Sequence, residues 1–395
     1  MKTTHTRNTK TISLAALAFF AAGLSGSVAA CEVKIGAVGP LSGPAAQWGQ
    51  AIKGAADFVA AEANEAGGLQ VGNEKCKVTV LAVDGKYSAE GAAAAGNNLV
   101  SEGVKFVLGP IGSPEVTGIK PIAARNNLLM MSDSFAKNAI GPQWPTVFHL
   151  GPGPSAWADP IIKVAKAKFN LTSVLMIGPN DQAGTDVADV AGKVYEKNGI
   201  KVGLEYYQRG TTNFAPVVTR ILRAKPDAVD VASCPPGDAG TVIKQLRQAG
   251  FTGAIGRLGG PGTDEIMRAT GGPEVIGDFY WYEPIFIDDK IREMGTRYKT
   301  LLKADPPSNN FFYQFSAGAR MVLKAITAAG TATDTAKVAA ALRAMPVDDP
   351  NLGKGLWIGQ EFFGINQELS LPYGVGLIVK GKVQPVQRMA AATGK

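Results

Sequence analysis

The stretch Lys34–Gly54, KIGAVGPLSGPAAQWGQAIKG, narrows the fold more than any other part of the chain. Val33–Val38 is a short apolar run rich in β-branched residues, the pattern of a buried strand. It breaks at Gly39-Pro40 and crosses a loop of small residues, Leu41–Ala45. Helical spacing then begins at Ala46, with Ile52, Ala55, Phe58 and Val59 on the same face. Strand, loop and helix in that order form half of a βαβ unit. In open α/β sheets, ligands bind beyond the carboxyl ends of the strands. Trp48, just inside the helix, therefore stands where a bound molecule would lie.

The same rhythm runs twice along the chain. Strands are expected at 77–83, 104–108, 128–131 and 147–150, with helices at 90–101 and 114–125 between them. Gly151-Pro152-Gly153-Pro154 follows as a break, read as a crossover or hinge. A second series has strands at 173–177, 201–207, 228–232 and 279–282, and helices at 185–198, 214–224 and 238–249. Helices at 288–303 and 312–329 and a hairpin at 374–386 complete it. Two α/β lobes account for this repetition better than one.

Residues 1–30 read as a secretory leader: Lys2, Arg7 and Lys10, an apolar run at 12–24 too short to span a membrane, and small residues at 27–30. The remaining 365 residues suit two domains and an exported location, periplasmic or tethered only at the new N-terminus. They carry 37 basic against 33 acidic residues, a net charge of +4. That excess, without any basic run interleaved with aromatics, excludes nucleic acid as the expected partner. Cys31 and Cys76 each stand two residues before a strand valine. If those strands are neighbours in a parallel sheet, the sulfurs lie side by side, and an oxidising compartment permits a disulfide. The rival reading is acylation of Cys31 after Val28-Ala29-Ala30.

Catalytic reagents are scarce, so the chain is read as a non-enzyme without cofactor or metal. His149 is the one histidine outside the leader and reads as structural. There is no G-x-S-x-G, C-x-x-C or H-E-x-x-H. Gly376–Val383, GLIVKGKV, mimics a phosphate loop but lacks the hydroxyl for magnesium, and Gly151–Ala156 has prolines where a dinucleotide loop needs N–H groups. Binding reagents are more plentiful. Gly112-Ser113-Pro114 reads as a helix start with Ser113 as its cap, a ready anion site. Ser132–Phe135 offers hydroxyls and the Phe135 ring. Loops at 180–184, 234–238 (with Pro235 and a capping Asp238) and 257–262 face the same way. Arg257, the fixed cation among them, could clamp a carboxylate or lie solvated on the surface.

Taken with VLGPIGS at 107–113, IKQLRQAG at 243–250 and NLGKGLWIGQ at 351–360, the opening motif resembles the type I periplasmic solute-binding proteins of ABC transporters, of the leucine/isoleucine/valine-binding type. The resemblance implies two Rossmann-like lobes joined by three crossovers, with ligand trapped between them. It implies a first lobe of 31–150 plus about 284–354, and a second of 151–283 plus about 355–395. It implies a membrane permease as partner, a monomeric binding protein, and either transport or presentation of ligand to a receptor kinase. By position, it implies that Trp48, Gly112, Ser113, Ser134, Ala136 and Tyr313 meet the ligand. The sequence departs from the family at Ala183, where a tyrosine is expected, and at Gly259, where an acid that pairs with the ligand ammonium is expected. An ammonium without a partner is costly to bury. These departures point to a larger or aromatic carboxylate, unless Asp133 or Asp181 supplies the charge.

Overall fold

The computed structural model describes residues 1–5, 31–260 and 262–394. The basic, apolar and cleavage segments of the leader, Lys2 and its neighbours apart, lie outside the described residues. Among the described residues, no helix is long and apolar enough to cross a membrane.

The first series runs β1 (Glu32–Gly39), α1 (Ala46–Glu65), β2 (Leu69–Val71), β3 (Glu74–Asp84), α2 (Ala89–Ser101), β4 (Phe106–Ile111), α3 (Ser113–Asn126), β5 (Leu129–Asp133) and β6 (Val147–His149). The second runs α4 (Pro154–Phe169), β7 (Ser173–Pro179), α5 (Gln182–Lys197), β8 (Lys201–Tyr207), α6 (Ala215–Ala224), β9 (Ala228–Asp230), α7 (Pro236–Gln248), β10 (Ala254–Arg257), α8 (Thr263–Thr270), α9 (Pro273–Ile276) and β11 (Phe279–Glu283). The chain continues with α10 (Asp289–Leu302), α11 (Phe311–Ala329), α12 (Thr335–Ala344), β12 (Asp348–Asp349), β13 (Gly353–Lys354), β14 (Leu356–Ile358), α13 (Gln360–Phe363) and β15 (Glu368–Ser370). It closes with β16 (Tyr373–Val379), β17 (Lys382–Val383) and β18 (Gln387–Met389).

Two sheets organise these elements. The first has the order β14-β15-β6-β5-β4-β1-β3-β2, and the second β17-β16-β11-β10-β9-β7-β8, with β18 on β16. The central strands of both are parallel. Strand order reverses between β1 and β4 and again between β7 and β9, so each sheet opens a crevice at its carboxyl edge. Helices α1 and α11 pack on the first sheet through Ile52, Phe58, Phe312 and Phe315, all fully buried. The chain crosses between the sheets after β6, after β11 and after β15, in keeping with a fold of two α/β lobes.

The structure corrects the expected lobe boundary. Leu356–Ile358 and Glu368–Ser370 join the first sheet, where β15 pairs with β6 in parallel through Glu368 and His149. The third crossover is thus at Leu371-Pro372, not near 354, and the second sheet gains only the strands from Tyr373 onward. The Gly151–Pro154 break is short, because Pro154 opens α4, and its Trp157 is buried among second-lobe residues. Cys31 lies one residue before the register pair Glu32 and Lys77, directly across from Cys76, and the two form a disulfide.

Candidate functional site

A cavity of about 40 Å³ lies between the carboxyl edges of the two sheets. From the first lobe it is lined by Trp48, Tyr87, Ile111, Gly112, Ser113, Asp133, Ser134, Phe135 and Phe311. From the second come Ala183, Val187, Ser233, Gly259 and Gly260. Except for Phe311, each belongs to a strand's end, the loop after it or the start of the next helix. The lobes are drawn together around the cavity. Thr117 Oγ1 donates to Gln182 Oε1 at 3.0 Å, Gln182 Nε2 to Asn138 Oδ1 at 2.8 Å, and Asn309 Nδ2 to Glu265 Oε1 at 3.1 Å.

The loops are held by acids rather than by chance packing. Asp84 accepts from the N–H groups of Leu41 and Lys86 and from the Ser42 hydroxyl, at 2.8–2.9 Å. Burial works against its ionisation, but these donors outweigh it and hold its carboxyl below the usual value. Lys86 and Tyr87 both take left-handed backbone angles, φ +55° and +51°. Such angles are costly for residues with a Cβ and persist only where neighbours impose them. Glu115 does so here, accepting the Tyr87 N–H at 2.9 Å. Burial pushes the Glu115 pKa up to about 8. The Tyr87 ring then lies so close to Gly112, at φ +85°, that a Cβ there would sit 2.5 Å from it. Glycine at 112 is therefore what lets Tyr87 reach Trp48, with ring centroids 5.6 Å apart.

Ser113 was expected to cap α3. Instead Gly112 occupies the cap position, and Ser113 is the first helical residue, with Pro114 next. Its hydroxyl is thereby released into the cavity wall, 3.1 Å from that of Ser134. Ser134 Oγ also accepts from Ala136 N at 3.2 Å. The pair of hydroxyls lies at the helix N-terminus, where N–H groups and the dipole favour negative charge. Trp48 is 6% exposed, and its Nε1–H is buried with no hydrogen-bond partner. Phe311 meets it edge-on at 6.1 Å.

Trp48, Gly112, Ser113, Ser134, Phe135, Ala183 and Gly259 are thus brought together on one cavity, and four other expected residues are not. Ala136 is buried behind Ser134. Pro235 is the cap residue of α7, and its neighbour Ser233 faces the cavity instead. Tyr313 packs on Phe312 at 5.0 Å, because residues two apart on a helix point about 200° away from each other, and Phe311 takes the cleft side. Arg257 is neither in a loop nor at the surface. It ends β10, is fully buried, and its Nη1 donates to the carbonyls of Val231, Ala232 and Cys234 at 2.9, 3.1 and 2.5 Å. It braces the turn after β9. Asp238 does not cap α7 either, and takes the Tyr207 hydroxyl at 2.7 Å.

Of the two acids offered as substitutes, Asp181 is committed elsewhere. It caps α5 through Gly184 N and binds Arg209 Nε at 2.5 Å. The Arg209 guanidinium lies over the Tyr87 ring at 4.5 Å and so ties the second lobe to the first. Asp133, by contrast, lines the cavity at 4% exposure. Behind it stands His149, whose Nε2 is 3.7 Å from Asp133 Oδ1 and accepts the Ser134 N–H at 2.6 Å. Its Nδ1 meets Glu368 Oε1 at 3.0 Å, and that oxygen also takes the Gly153 N–H at 3.1 Å. Burial alone would lower the imidazole pKa, but the two carboxylates outweigh it and push it up to about 9. The Ser134 N–H directed at Nε2 opposes this, since it requires a lone pair there, and in this arrangement that short bond favours the neutral ring with its proton on Nδ1. Tyr87 went unnamed as a ligand residue in the sequence reading, and Phe311 stood only among six aromatics, 280–282 and 311–313, of which one or two were expected to line a cleft. Tyr87 was legible as the loop after a parallel strand, three residues beyond Asp84.

The model of the periplasmic binding protein family matches residues 32–367. The chain belongs to that family. Within it, the leucine-, isoleucine-, valine-, threonine- and alanine-binding protein of Pseudomonas aeruginosa is 28% identical over 358 residues, covering 89% of this chain and 93% of its own. Among solved structures, the branched-chain amino acid binding protein LivJ of Streptococcus pneumoniae, in complex with isoleucine, aligns at TM-score 0.76 and 20% identity, covering 91% of this chain and 99% of its own. A solute-binding protein of R. palustris in complex with benzoate aligns at 0.74 and 17%, covering 91% and 97%. At these identities the solved structures establish the fold of this periplasmic binding protein, two α/β lobes. Its relatives are solute-binding proteins rather than enzymes.

Proposed function

We propose that this protein is the extracytoplasmic solute-binding component of an ABC importer. It traps a small carboxylate-bearing solute, amino-acid-like or an aromatic acid, between its lobes and delivers it to a membrane permease. The observation that carries this reading is the buried, unpartnered indole N–H of Trp48 on a cavity that also holds Ser113 and Ser134 at the N-terminus of α3. A donor left without an acceptor in a buried site costs about 1–3 kcal/mol, which a ligand oxygen would recover. The relatives support the choice of solute class, since one is a leucine-, isoleucine-, valine-, threonine- and alanine-binding protein and a structural neighbour holds benzoate. Micromolar binding needs about 8 kcal/mol, within reach of one ring buried against Trp48 together with one satisfied carboxylate.

A thermal-shift screen of the protein without residues 1–30 tests the reading. Amino acids and aromatic and aliphatic carboxylates are set against neutral sugars, because a ligand that binds only the native state raises Tm. A shift with a carboxylate-bearing compound is expected. A shift with sugars alone would refute it.

A further inference from the structure

His149 is the one histidine of residues 31–395, and it stands between the cleft cavity and the hinge. It ends β6, just before the first crossover. The ring is fully buried, and Phe135 and Phe363 flank it edge-on with centroids at 6.5 Å. Its Nδ1 meets Glu368 Oε1 at 3.0 Å, and the same oxygen takes the Gly153 N–H at 3.1 Å. Gly153 lies at the first crossover and Glu368 beside the third, so this side of the ring is fixed to the hinge.

Nε2 lies on the cavity side. Among the described residues, two polar groups compete for it. The Ser134 N–H points at it from 2.6 Å, and Asp133 Oδ1 stands 3.7 Å away. Both residues line the cavity. One group is a donor and the other an acceptor, so Nε2 satisfies one at a time. As a lone pair it accepts from Ser134. Once protonated it turns donor, Asp133 is the acceptor within reach, and the Ser134 N–H then faces another N–H. The ring has no room to swing away, because Glu368 holds Nδ1 in both states and the two phenylalanines exclude water. The displacement therefore falls on Ser134. Its hydroxyl is paired with that of Ser113 at 3.1 Å, so the binding wall at the start of α3 moves with it.

The other neighbours do not take up the proton. Tyr282 of β11 faces both carboxylates from the second lobe, and burial raises its pKa well above the ordinary value, so it stays neutral. Gln314 of α11 reaches the same corner as Asp133, beside Gly151, and is uncharged. Burial of the ring opposes its protonation, the carboxylates of Asp133 and Glu368 outweigh burial and push it up to about 9, and the Ser134 N–H pulls the other way.

We propose that His149 is a positioning residue for solute capture: its neutral ring holds Ser134 in the binding wall, and protonation hands Nε2 to Asp133 and releases Ser134, so the cleft loses affinity as pH falls. The effect on affinity rests on the solute-binding reading above. The exchange of partners at Nε2 is a property of the protein without solute.

NMR of the isotope-labelled chain 31–395 reads that exchange directly, since one histidine gives one set of ring signals. At high pH the ring should be neutral with its proton on Nδ1, and the Ser134 amide proton should be shifted strongly downfield. On acidification both should move with one shared midpoint, between the ordinary 6.5 and about 9. Glu368→Gln keeps an acceptor for Nδ1 and Gly153 but removes a charge, so it should lower that midpoint. A ring that holds one protonation state throughout, or one that titrates without moving Ser134, would overturn the inference. Calorimetry with benzoate and with leucine then reads the consequence: binding should be about tenfold weaker at about pH 6 than at about pH 8.5, the worth of one lost hydrogen bond, and His149→Gln should remove the difference. A native protein without that difference, or a difference that survives His149→Gln, would also overturn it. Failure of every amino acid and carboxylate to bind would reject the solute-binding reading, and the effect on affinity with it. An unmoved Ser134 amide beside normal binding would reject this inference alone.

Discussion

Arg257→Ala separates a brace from a ligand clamp. The guanidinium is fully buried and one of its nitrogens serves three backbone carbonyls, those of Val231, Ala232 and Cys234. Burial lowers its pKa from the ordinary arginine value, the expected sign for a desolvated cation. Truncation strands three carbonyl oxygens, each costing about 1–3 kcal/mol if left unmade. It also empties a side-chain volume at the base of the second sheet. Relief of the cation's own desolvation offsets part of this. The net cost should be about 3–5 kcal/mol, the range for removing one partner of a buried charged network. That is a large share of the 5–15 kcal/mol that keeps a protein folded. Urea unfolding of the native protein and the variant, with calorimetric titration at low temperature, reads both quantities. The transition midpoint should fall sharply, and any loss of affinity should be the same for carboxylates and for other ligands. An unfolding midpoint like the native one, with carboxylate affinity down tenfold or more, would refute the argument and put the guanidinium on the ligand.

Three further outcomes follow from the same geometry. Trp48→Phe keeps a ring against Tyr87 and Phe311 but removes the unpartnered donor, so affinity should fall about tenfold by calorimetry with Tm held within about 2 °C. Gly259→Ala should lower Tm and abolish binding together, because its Cβ meets the Ala232 carbonyl at 1.6 Å; unchanged affinity would mean the backbone shifts freely there. Glu115 titrates near pH 8 when folded, against 4.5 as the ordinary value. Between those values the native state keeps a proton that the unfolded chain has lost, so stability falls as pH rises through the window. Glu115→Gln retains the acceptor for Tyr87 N and should flatten that slope. Its gain over the native protein should be near zero at pH 4.5 and rise to at most about 5 kcal/mol above pH 8, read from urea midpoints across pH.

Much of the fold was legible because strands and helices here are written locally. The apolar run of Val33–Val38, the Gly39-Pro40 break and the helical face through Ile52 and Phe58 depend on neighbours within a few residues, and the observed strand and helix fall there. Short elements were harder to read. Strand β10 is four residues, and α12 and β14 follow the last clear periodic helix, so Arg257 was read as a loop cation and 355–370 was placed with the second lobe, whereas its strands join the first sheet. Strand pairing is a long-range choice: Glu368 pairs with His149 across 219 positions, and no local pattern encodes the partner.

The sequence by itself determined the class of the site. Loops rich in glycine, serine and proline after parallel strands, an aromatic at the first helix and a lack of catalytic groups already pointed to a cleft that binds rather than reacts. Only the tertiary structure decided which charges face that cleft. Asp133 and Asp181 are alike as residues, one the last residue of a parallel strand and the other just beyond one. One is left on the cavity, while the other is consumed by a helix cap and by Arg209. Arg257, the one cation the loops offered, is turned inward by three carbonyls. The physical reason is that a charge acts through its surroundings: burial, partners within about 4 Å and the direction of a side chain come from segments far apart in the chain, and they exist only once both sheets have formed.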